Sequence, residues 1–169
     1  MERIDEMKRN IDFVICDDDM ERITLRFRPR LSHVHGFGDT PPQKWEEVYK
    51  TYFCYDIIRR WKDEDSSSEV MYSEPFDECS ALNEVSYIIG GIITGFEFER
   101  TIVHPFGDGT SWEIEKFNCP GKTDYVRFTL FQSYTSKGYR FSLPVDRLQE
   151  FKKTLDYYLE YMLQHSEGI

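Results

Sequence analysis

Four arginines and two histidines fall within fourteen residues near the start of the chain, RITLRFRPRLSHVH (residues 22–35). In RITLRFR, apolar residues alternate with polar ones, which predicts a strand whose arginines share the face opposite the apolar side chains. The arginines on that face are Arg22, Arg26 and Arg28. Because guanidinium groups suit phosphate geometry, this strand is a candidate anion or nucleic-acid site. The acids of residues 17–21 could instead neutralise it, and we favour that interpretation here.

A short internal repeat is the second candidate for chemistry, since VHGFGD (residues 34–39) and VHPFGD (residues 103–108) share five of six residues. If the two turns met, their imidazoles and carboxylates could bind a divalent metal or perform acid–base catalysis. The residues concerned are His35, Asp39, His104 and Asp108. The alternative is the same turn chemistry used twice, with glycine at positive φ and aspartate bonding local backbone. No catalytic fingerprint accompanies the repeat, so an enzyme is not favoured and no cofactor is expected.

The negative charge of the chain is concentrated in one segment. The formal net charge is −10, and residues 63–99 contain ten acids but no lysine or arginine, which accounts for the whole excess. A surface of one sign attracts partners of the opposite charge. The acids predicted to bind such a partner are Asp63, Glu64, Asp65, Glu69, Glu74, Asp77 and Glu78. The alternative is a solvated loop kept soluble by its charge.

Two tyrosines, Tyr157 and Tyr161, lie four residues apart in the segment predicted to form the last helix. Helical geometry places them on the polar side, opposite the apolar stripe. Because tyrosine is enriched at interfaces, we predict that they supply the aromatic part of a partner-binding surface. The alternative is that another element of the same chain covers them.

These residues must be positioned by the elements that the pattern predicts. IDFVIC (residues 11–16) and the arginine strand read as two strands. Thr40 and the two prolines after it resemble a helix start, which predicts a helix continuing to about Trp61. Strand character within residues 51–58 leaves strand open as an alternative there. Residues 85–95 are ambiguous between a helix and a buried strand.

The second half of the chain has a plainer pattern. FEFERTIV, SWEIEKF, YVRFTLFQSYT and YRFSL indicate four strands, and an amphipathic helix follows them. We therefore predict an α+β fold: an antiparallel sheet, with a C-terminal four-stranded meander closed by a helix, and helices packed mainly on one face. This order of elements is similar to that of single-strand nucleic-acid-binding modules of the PC4 and Pur type, a similarity of topology without a shared binding motif.

Length and composition indicate one domain, residues 1–169, with a flexible acidic loop near residues 63–74. The 27 aromatic residues (13 Phe, 11 Tyr, 3 Trp) argue against disorder. No apolar run is long enough to span a bilayer, and the charged start lacks a signal-peptide centre. The four cysteines are scattered, which favours reduced thiols and a cytoplasmic location.

The leading hypothesis from the sequence is a non-enzymatic acidic protein-binding module. It would be a nucleic-acid mimic that inhibits a basic nucleic-acid-processing protein, of the immunity, anti-restriction or anti-CRISPR type. The first alternative is a single-stranded nucleic-acid or anion-binding module that uses the arginine strand. The second is a metal-dependent enzyme that uses the paired turns. A basic partner protein is favoured over direct nucleic-acid binding and no membrane is expected, whereas the oligomeric state stays open.

Overall fold

The computed structural model describes residues 11–34, 48–63, 67–77, 79–95, 100–103, 110–132 and 136–166. The strands in this part of the chain are β1 (Ile11–Asp17), β2 (Glu21–Val34), β3 (Val48–Trp61), β4 (Ser68–Asp77), β5 (Arg100–Val103), β6 (Thr110–Phe117), β7 (Tyr125–Gln132) and β8 (Lys137–Pro144). Helix α1 (Cys79–Ile93) lies between β4 and β5. Helix α2 (Leu148–Ser166) follows β8 through a 3-10 turn at Val145–Arg147.

The strands form two four-stranded antiparallel sheets. The first sheet has the order β1-β2-β3-β4, and the second has the order β5-β6-β7-β8. The longest ladder joins β2 to β3, with Glu21 opposite Trp61 at one end and Val34 opposite Val48 at the other. The predicted α+β class with antiparallel strands is therefore confirmed, although the strands are divided between two sheets.

The predicted helix up to Trp61 is wrong for residues 48–61, which form β3. This segment is dense in aromatic and β-branched residues, which fit the pleated surface of a sheet better than a helix. Its pairing with β2 over the full length of both strands supplies what local sequence could not indicate. The proposed helix start at Thr40 lies outside the described residues.

The structure also decides two further segments: the ambiguous residues 85–95 and the predicted acidic loop. Residues 79–93 form α1, in which Leu82, Val85 and Ile89 are buried at helical spacing. The acidic loop expected near residues 63–74 is too long, because β4 begins at Ser68. Backbone pairing of β4 with β3 gives this stretch its extended form despite its acidic composition.

The core is formed by the inner faces of the two sheets and the buried sides of α1 and α2. Phe151 of α2 contacts both sheets, with ring centroids 4.7 Å from Phe13 and 5.3 Å from Phe128. The sheets also touch directly, because Trp112 Nε1 donates a hydrogen bond of 3.1 Å to the Tyr55 hydroxyl. This buried contact satisfies the indole N–H and joins β6 to β3.

Arg147 fastens the turn before α2 to the edge strand β1. Its guanidinium donates hydrogen bonds to the carbonyl oxygens of Ile15 (2.7 Å) and Val14 (2.6 Å). It also lies over the Phe13 ring, 5.2 Å from the centroid. These carbonyls belong to an edge strand with a bulge between Val14 and Cys16, so Arg147 satisfies groups that would otherwise need water.

Helices α1 and α2 meet through a small polar contact. Lys152 Nζ lies 2.7 Å from Asp156 Oδ2 and 3.3 Å from Ser86 Oγ, and Ser86 also donates to Asp156. Although burial acts to raise it, the hydrogen bonds from Lys152 and Ser86 hold the pKa of Asp156 below its ordinary value. A Cβ on Gly90 would lie 3.0 Å from Lys152 Cε, so the glycine lets the lysine stem approach α1 closely.

Neither helix, within the residues that the structure describes, combines the length and the apolar character needed to cross a lipid bilayer.

Candidate nucleic-acid interface

The solvent-facing side of the first sheet is arranged in three cross-strand rows, which we call the arginine face. The outer rows are Asp12, Arg26, Asp56 and Ser73, and Asp17, Arg22, Arg60 and Ser68. The middle row is Val14, Thr24, Ile58 and Val70. The residues between them on β2, Ile23, Leu25 and Phe27, are buried. Alternation along β2 therefore separates core from surface as the sequence predicts.

In the first outer row, the positive charge of Arg26 is balanced by the carboxylate of Asp12. Arg26 Nε and Nη2 donate to the two carboxylate oxygens of Asp12, at 2.9 and 3.0 Å. This paired hydrogen bond raises the pKa of Arg26 above its ordinary value. Asp56 is only 7% exposed and accepts a 2.5 Å hydrogen bond from Ser73 Oγ. The partner of Arg26 is thus an acid directly across the ladder, not one of the acids at residues 17–21.

In the second outer row, the positive charges outnumber the negative ones. Arg22 and Arg60 lie directly opposite each other on β2 and β3, and both are exposed. Asp17 lies 3.9 Å from Arg22 Nε and also forms an ion pair with Lys62. Among the described residues, no acidic side chain lies within ion-pair distance of Arg60. Like charges facing each other across a ladder are destabilising, so this row favours a bound anion.

The acids of the β1–β2 turn are mostly engaged elsewhere. Asp18 Oδ1 accepts hydrogen bonds from the backbone N–H groups of Glu21 and Met20, each at 2.8 Å, and these bonds lower the pKa of Asp18. Glu21 forms an ion pair of 2.9 Å with Arg59. Asp17 is therefore the acid of residues 17–21 that contacts the arginine face. The predicted neutralisation of that face by this cluster is incomplete.

Three of the four residues in the middle row are apolar, and the row is most exposed at the β4 edge. Val70 is 58% exposed, while Val14, Thr24 and Ile58 are half-buried. A mostly apolar row beside Arg22 and Arg60 suits a ligand that carries both flat apolar groups and negative charges. Ile58 and Arg60 were missed in the sequence because a helix was predicted up to about Trp61, and Lys62 was missed because it falls in the loop predicted after that helix. The signal that could have found them is the alternation in YDIIRR, where Tyr55 and Ile57 are buried.

The second sheet differs, because those of its arginines whose side chains the structure describes, Arg127 and Arg140, already have partners. Arg127 Nη2 lies 2.9 Å from Glu115 Oε1, and its guanidinium lies 4.7 Å from the Phe117 ring centroid. Arg140 Nε donates a 3.0 Å hydrogen bond to Thr129 Oγ1. The candidate site is therefore on the first sheet, where Arg22 and Arg60 face each other.

Near the same turn, Cys16, Asp18 and Glu21 have ligand-type atoms within 4.8 Å of one another. The cluster is poorly suited to a cation because Asp18 and Glu21 are committed to the contacts described above. Burial and the neighbouring acids also raise the pKa of the Cys16 thiol, which disfavours the thiolate that a metal needs. The cluster is better explained as part of the turn.

Several predicted site residues lie apart from this face or outside the described part of the chain. Tyr157 is 53% exposed on α2, whereas Tyr161 is half-buried against the core, so the two do not form an equally exposed pair. The backbone of Arg28 lies opposite that of Cys54, and the side chain of Arg28 is not among those that the structure describes. The paired-turn residues also lie outside the described residues, namely His35, Asp39, His104 and Asp108.

The predicted partner-binding acids that the structure describes lie at the end of β3 and on β4. Asp63 is exposed where β3 ends, and Glu69 is exposed on β4, where its backbone lies opposite Arg59. The backbones of Glu74 and Asp77 also belong to β4, while the next described acid, Glu84, is exposed on α1. The remaining predicted acids lie outside the described residues, namely Glu64, Asp65 and Glu78.

No protein-family model and no curated protein matches the chain. Solved structures with similarity to it include WHY3 from Arabidopsis thaliana, at 11% identity over 94% of this chain and 91% of that one. The plant transcriptional regulator PBF-2 is 10% identical over 95% of this chain and 86% of that one. WHY1 from Arabidopsis thaliana is 9% identical over 91% of this chain and 85% of that one. The TM-score is 0.39 in each case.

The prediction of an acidic inhibitor that binds a basic partner protein is wrong. The acids of residues 63–99 on which the prediction depended do not share one element, since the described ones lie at the end of β3, on β4 and on α1. The preference for a basic partner over direct nucleic-acid binding is wrong with it, because it assumed that the arginine strand is neutralised.

Proposed function

We propose that the chain is a single-stranded nucleic-acid-binding module that uses the arginine face. The observation that carries the proposal is the pair of Arg22 and Arg60, which lies beside the mostly apolar middle row with exposed Val70. Proteins that bind single strands combine cations that contact the phosphates with side chains, most often aromatic, that contact the bases, and here aliphatic side chains would make the base contacts. A duplex hides the faces of its bases, so an apolar strip of this kind favours a single strand.

The spacing of the rows fits this proposal. Successive rows on one face of a strand are two residues apart, or about 7 Å, so the middle row lies about 7 Å from the row of Arg22 and Arg60. A single strand that crosses the sheet would meet Arg22 and Arg60, then the middle row, and then Arg26, whose guanidinium is paired with Asp12. Arg28, two residues beyond Arg26 on β2, is a candidate to extend the same contacts.

The rest of the molecule would support this face. We propose that residues 1–169 act as a single domain, in which the second sheet is a meander closed by α2. The hydrogen bond between Trp112 and Tyr55 and the contacts of Phe151 hold the first sheet against that support. A site on a rigid sheet keeps its arginines in register, which reduces the ordering that binding requires.

The net charge of −10 sets the conditions under which binding should be seen. The chain as a whole repels nucleic acid at long range, so attraction must come from the local contacts of the arginine face. Such binding should be strongest at low ionic strength and should weaken steeply with salt.

A titration of the full chain into labelled oligonucleotides tests the proposal. We expect a short mixed-sequence single strand to bind at low salt about tenfold more tightly than the same sequence as a duplex, because only the single strand offers its bases to the apolar row. Fluorescence anisotropy measures both affinities. Absence of binding to the single strand at low salt, or a preference for the duplex, would contradict the proposed function.

A further inference from the structure

We propose that Asp17 competes with nucleic-acid phosphate for a cationic site formed by Arg22, Arg60 and Lys62. These three cations and the carboxylate lie together where β1 and β3 end and β2 begins, and we call them the phosphate site. The inference rests on the proposed function and assigns one phosphodiester contact within it. Arg60 and Lys62 are absent from the arginine strand that the sequence indicates.

One carboxylate cannot satisfy three cations. Asp17 forms an ion pair with Lys62 and lies 3.9 Å from Arg22, while Arg60 has no acidic partner in the described part of the chain. Among the described residues, three positive charges lie near two negative ones, because Lys62 also interacts electrostatically with Asp18, and this leaves a local excess of one. A phosphodiester carries one negative charge and several acceptor oxygens, so it fits this excess without overfilling the site.

The site is held in place by backbone contacts. The Lys62 N–H donates a 2.9 Å hydrogen bond to the Met20 carbonyl oxygen, which ties the end of β3 to the β1–β2 turn. Asp18 holds the same turn through its bonds to backbone amides, so its carboxylate is committed there. The cations therefore meet at a defined place, and Asp17 is the carboxylate that contacts two of them, Arg22 and Lys62.

The contacts of Asp17 are exposed, so an incoming phosphate can displace them. The side chains of Asp17, Lys62 and Arg22 are between 40 and 48% exposed. Exposed ion pairs are weak and lose strength with salt. Displacing Asp17 should therefore reduce affinity only modestly, and neutralising it should tighten binding by roughly two- to fivefold, the range that exposed pairs span.

The experiment compares substitutions that change charge by the same amount at two places. We expect Asp17→Asn to bind a single-stranded oligonucleotide roughly two- to fivefold more tightly than the unmodified chain at one fixed salt concentration. Asp146→Asn is the matched control, because Asp146 is exposed on the turn before α2 and has no ion pair within the described residues. It should change the affinity less than twofold. Asp17→Glu keeps the negative charge and should bind the oligonucleotide with the affinity of the unmodified chain.

A further pair of variants identifies the cations involved. Arg60→Gln should weaken binding, and the gain from Asp17→Asn should shrink when both substitutions are combined, because the freed site has lost one of its cations. If Asp17→Asn binds no more tightly than Asp146→Asn, or more weakly than the unmodified chain, the competitor role of Asp17 is overturned. If the unmodified chain binds no single strand even at low salt, the proposed function itself fails, so the two failures are distinguishable.

Discussion

At the level of single residues, the arginines of the first sheet differ by what stands opposite them. Arg26 faces Asp12 and is held by two hydrogen bonds, whereas Arg22 faces Arg60 across the β2–β3 ladder. Identical side chains on one face therefore have different roles: one pair contributes to the sheet, and the other leaves positive charge available. The register of the strands decides between these roles.

Arg147 shows the structural use of the same side chain. We expect Arg147→Ala to lower the free energy of unfolding by about 1.5–3 kcal/mol, because two carbonyl groups of β1 lose a charged donor. Urea denaturation of both chains measures the change. Arg140→Ala is the control, since Arg140 is exposed and bonded to Thr129, and its effect should stay within about 0.5 kcal/mol. Equal effects of the two substitutions would show that the contact with β1 adds no stability.

At the level of elements, the periodicity of the sequence predicted a strand correctly where the alternation of buried and exposed residues is regular, and failed where pairing with a distant segment decides the structure. The alternation of β2 was readable because Ile23, Leu25 and Phe27 are separated by polar residues. Strand β3 was misread because its aromatic and β-branched residues fit more than one period, and its ladder with β2 is a long-range feature. The opposition of Arg22 and Arg60 was unpredictable for the same reason, since it depends on register and not on composition.

The contact between α1 and α2 offers a test of two opposing effects. Replacing Gly90 by alanine should gain about 0.8–1.0 kcal/mol of helix propensity, because Gly90 lies inside α1. The new Cβ would displace the far end of Lys152, whose exposed ion pair with Asp156 is worth about 0.3–0.5 kcal/mol. We therefore expect Gly90→Ala to raise the free energy of unfolding by about 0.5 kcal/mol, the difference between these two effects.

Urea denaturation of the Gly90→Ala variant shows whether the gain in helix propensity or the loss of the Lys152–Asp156 ion pair is larger. Lys152→Ala is the companion variant, because it removes the side chain that the new methyl group meets. In that background the alanine should gain its full propensity. A loss of stability in Gly90→Ala alone would show that Lys152 cannot move aside and that the close approach of the helices requires glycine.

At the level of the whole molecule, net charge was a poor indicator of the site. The surplus of acids in residues 63–99 sets the long-range field of the chain, whereas binding depends on the local charge where Arg22, Arg60 and Lys62 lie near Asp17. The described acids of that segment lie at the end of β3, on β4 and on α1, while the arginines of the arginine face lie on β2 and β3. An acidic chain can therefore present a local cationic site.

The salt dependence of single-strand binding tests the central claim most directly, when Arg22→Gln is compared with Arg140→Gln. Each variant removes one positive charge, but Arg22 lies on the arginine face and Arg140 on the second sheet. We expect Arg22→Gln to weaken binding and to reduce the slope of log K against log salt by about 0.7, the value for one phosphate contact on a single strand. Arg140→Gln should leave that slope unchanged. An unchanged slope in Arg22→Gln, or an equal loss in both variants, would contradict the assignment of the binding surface to the first sheet.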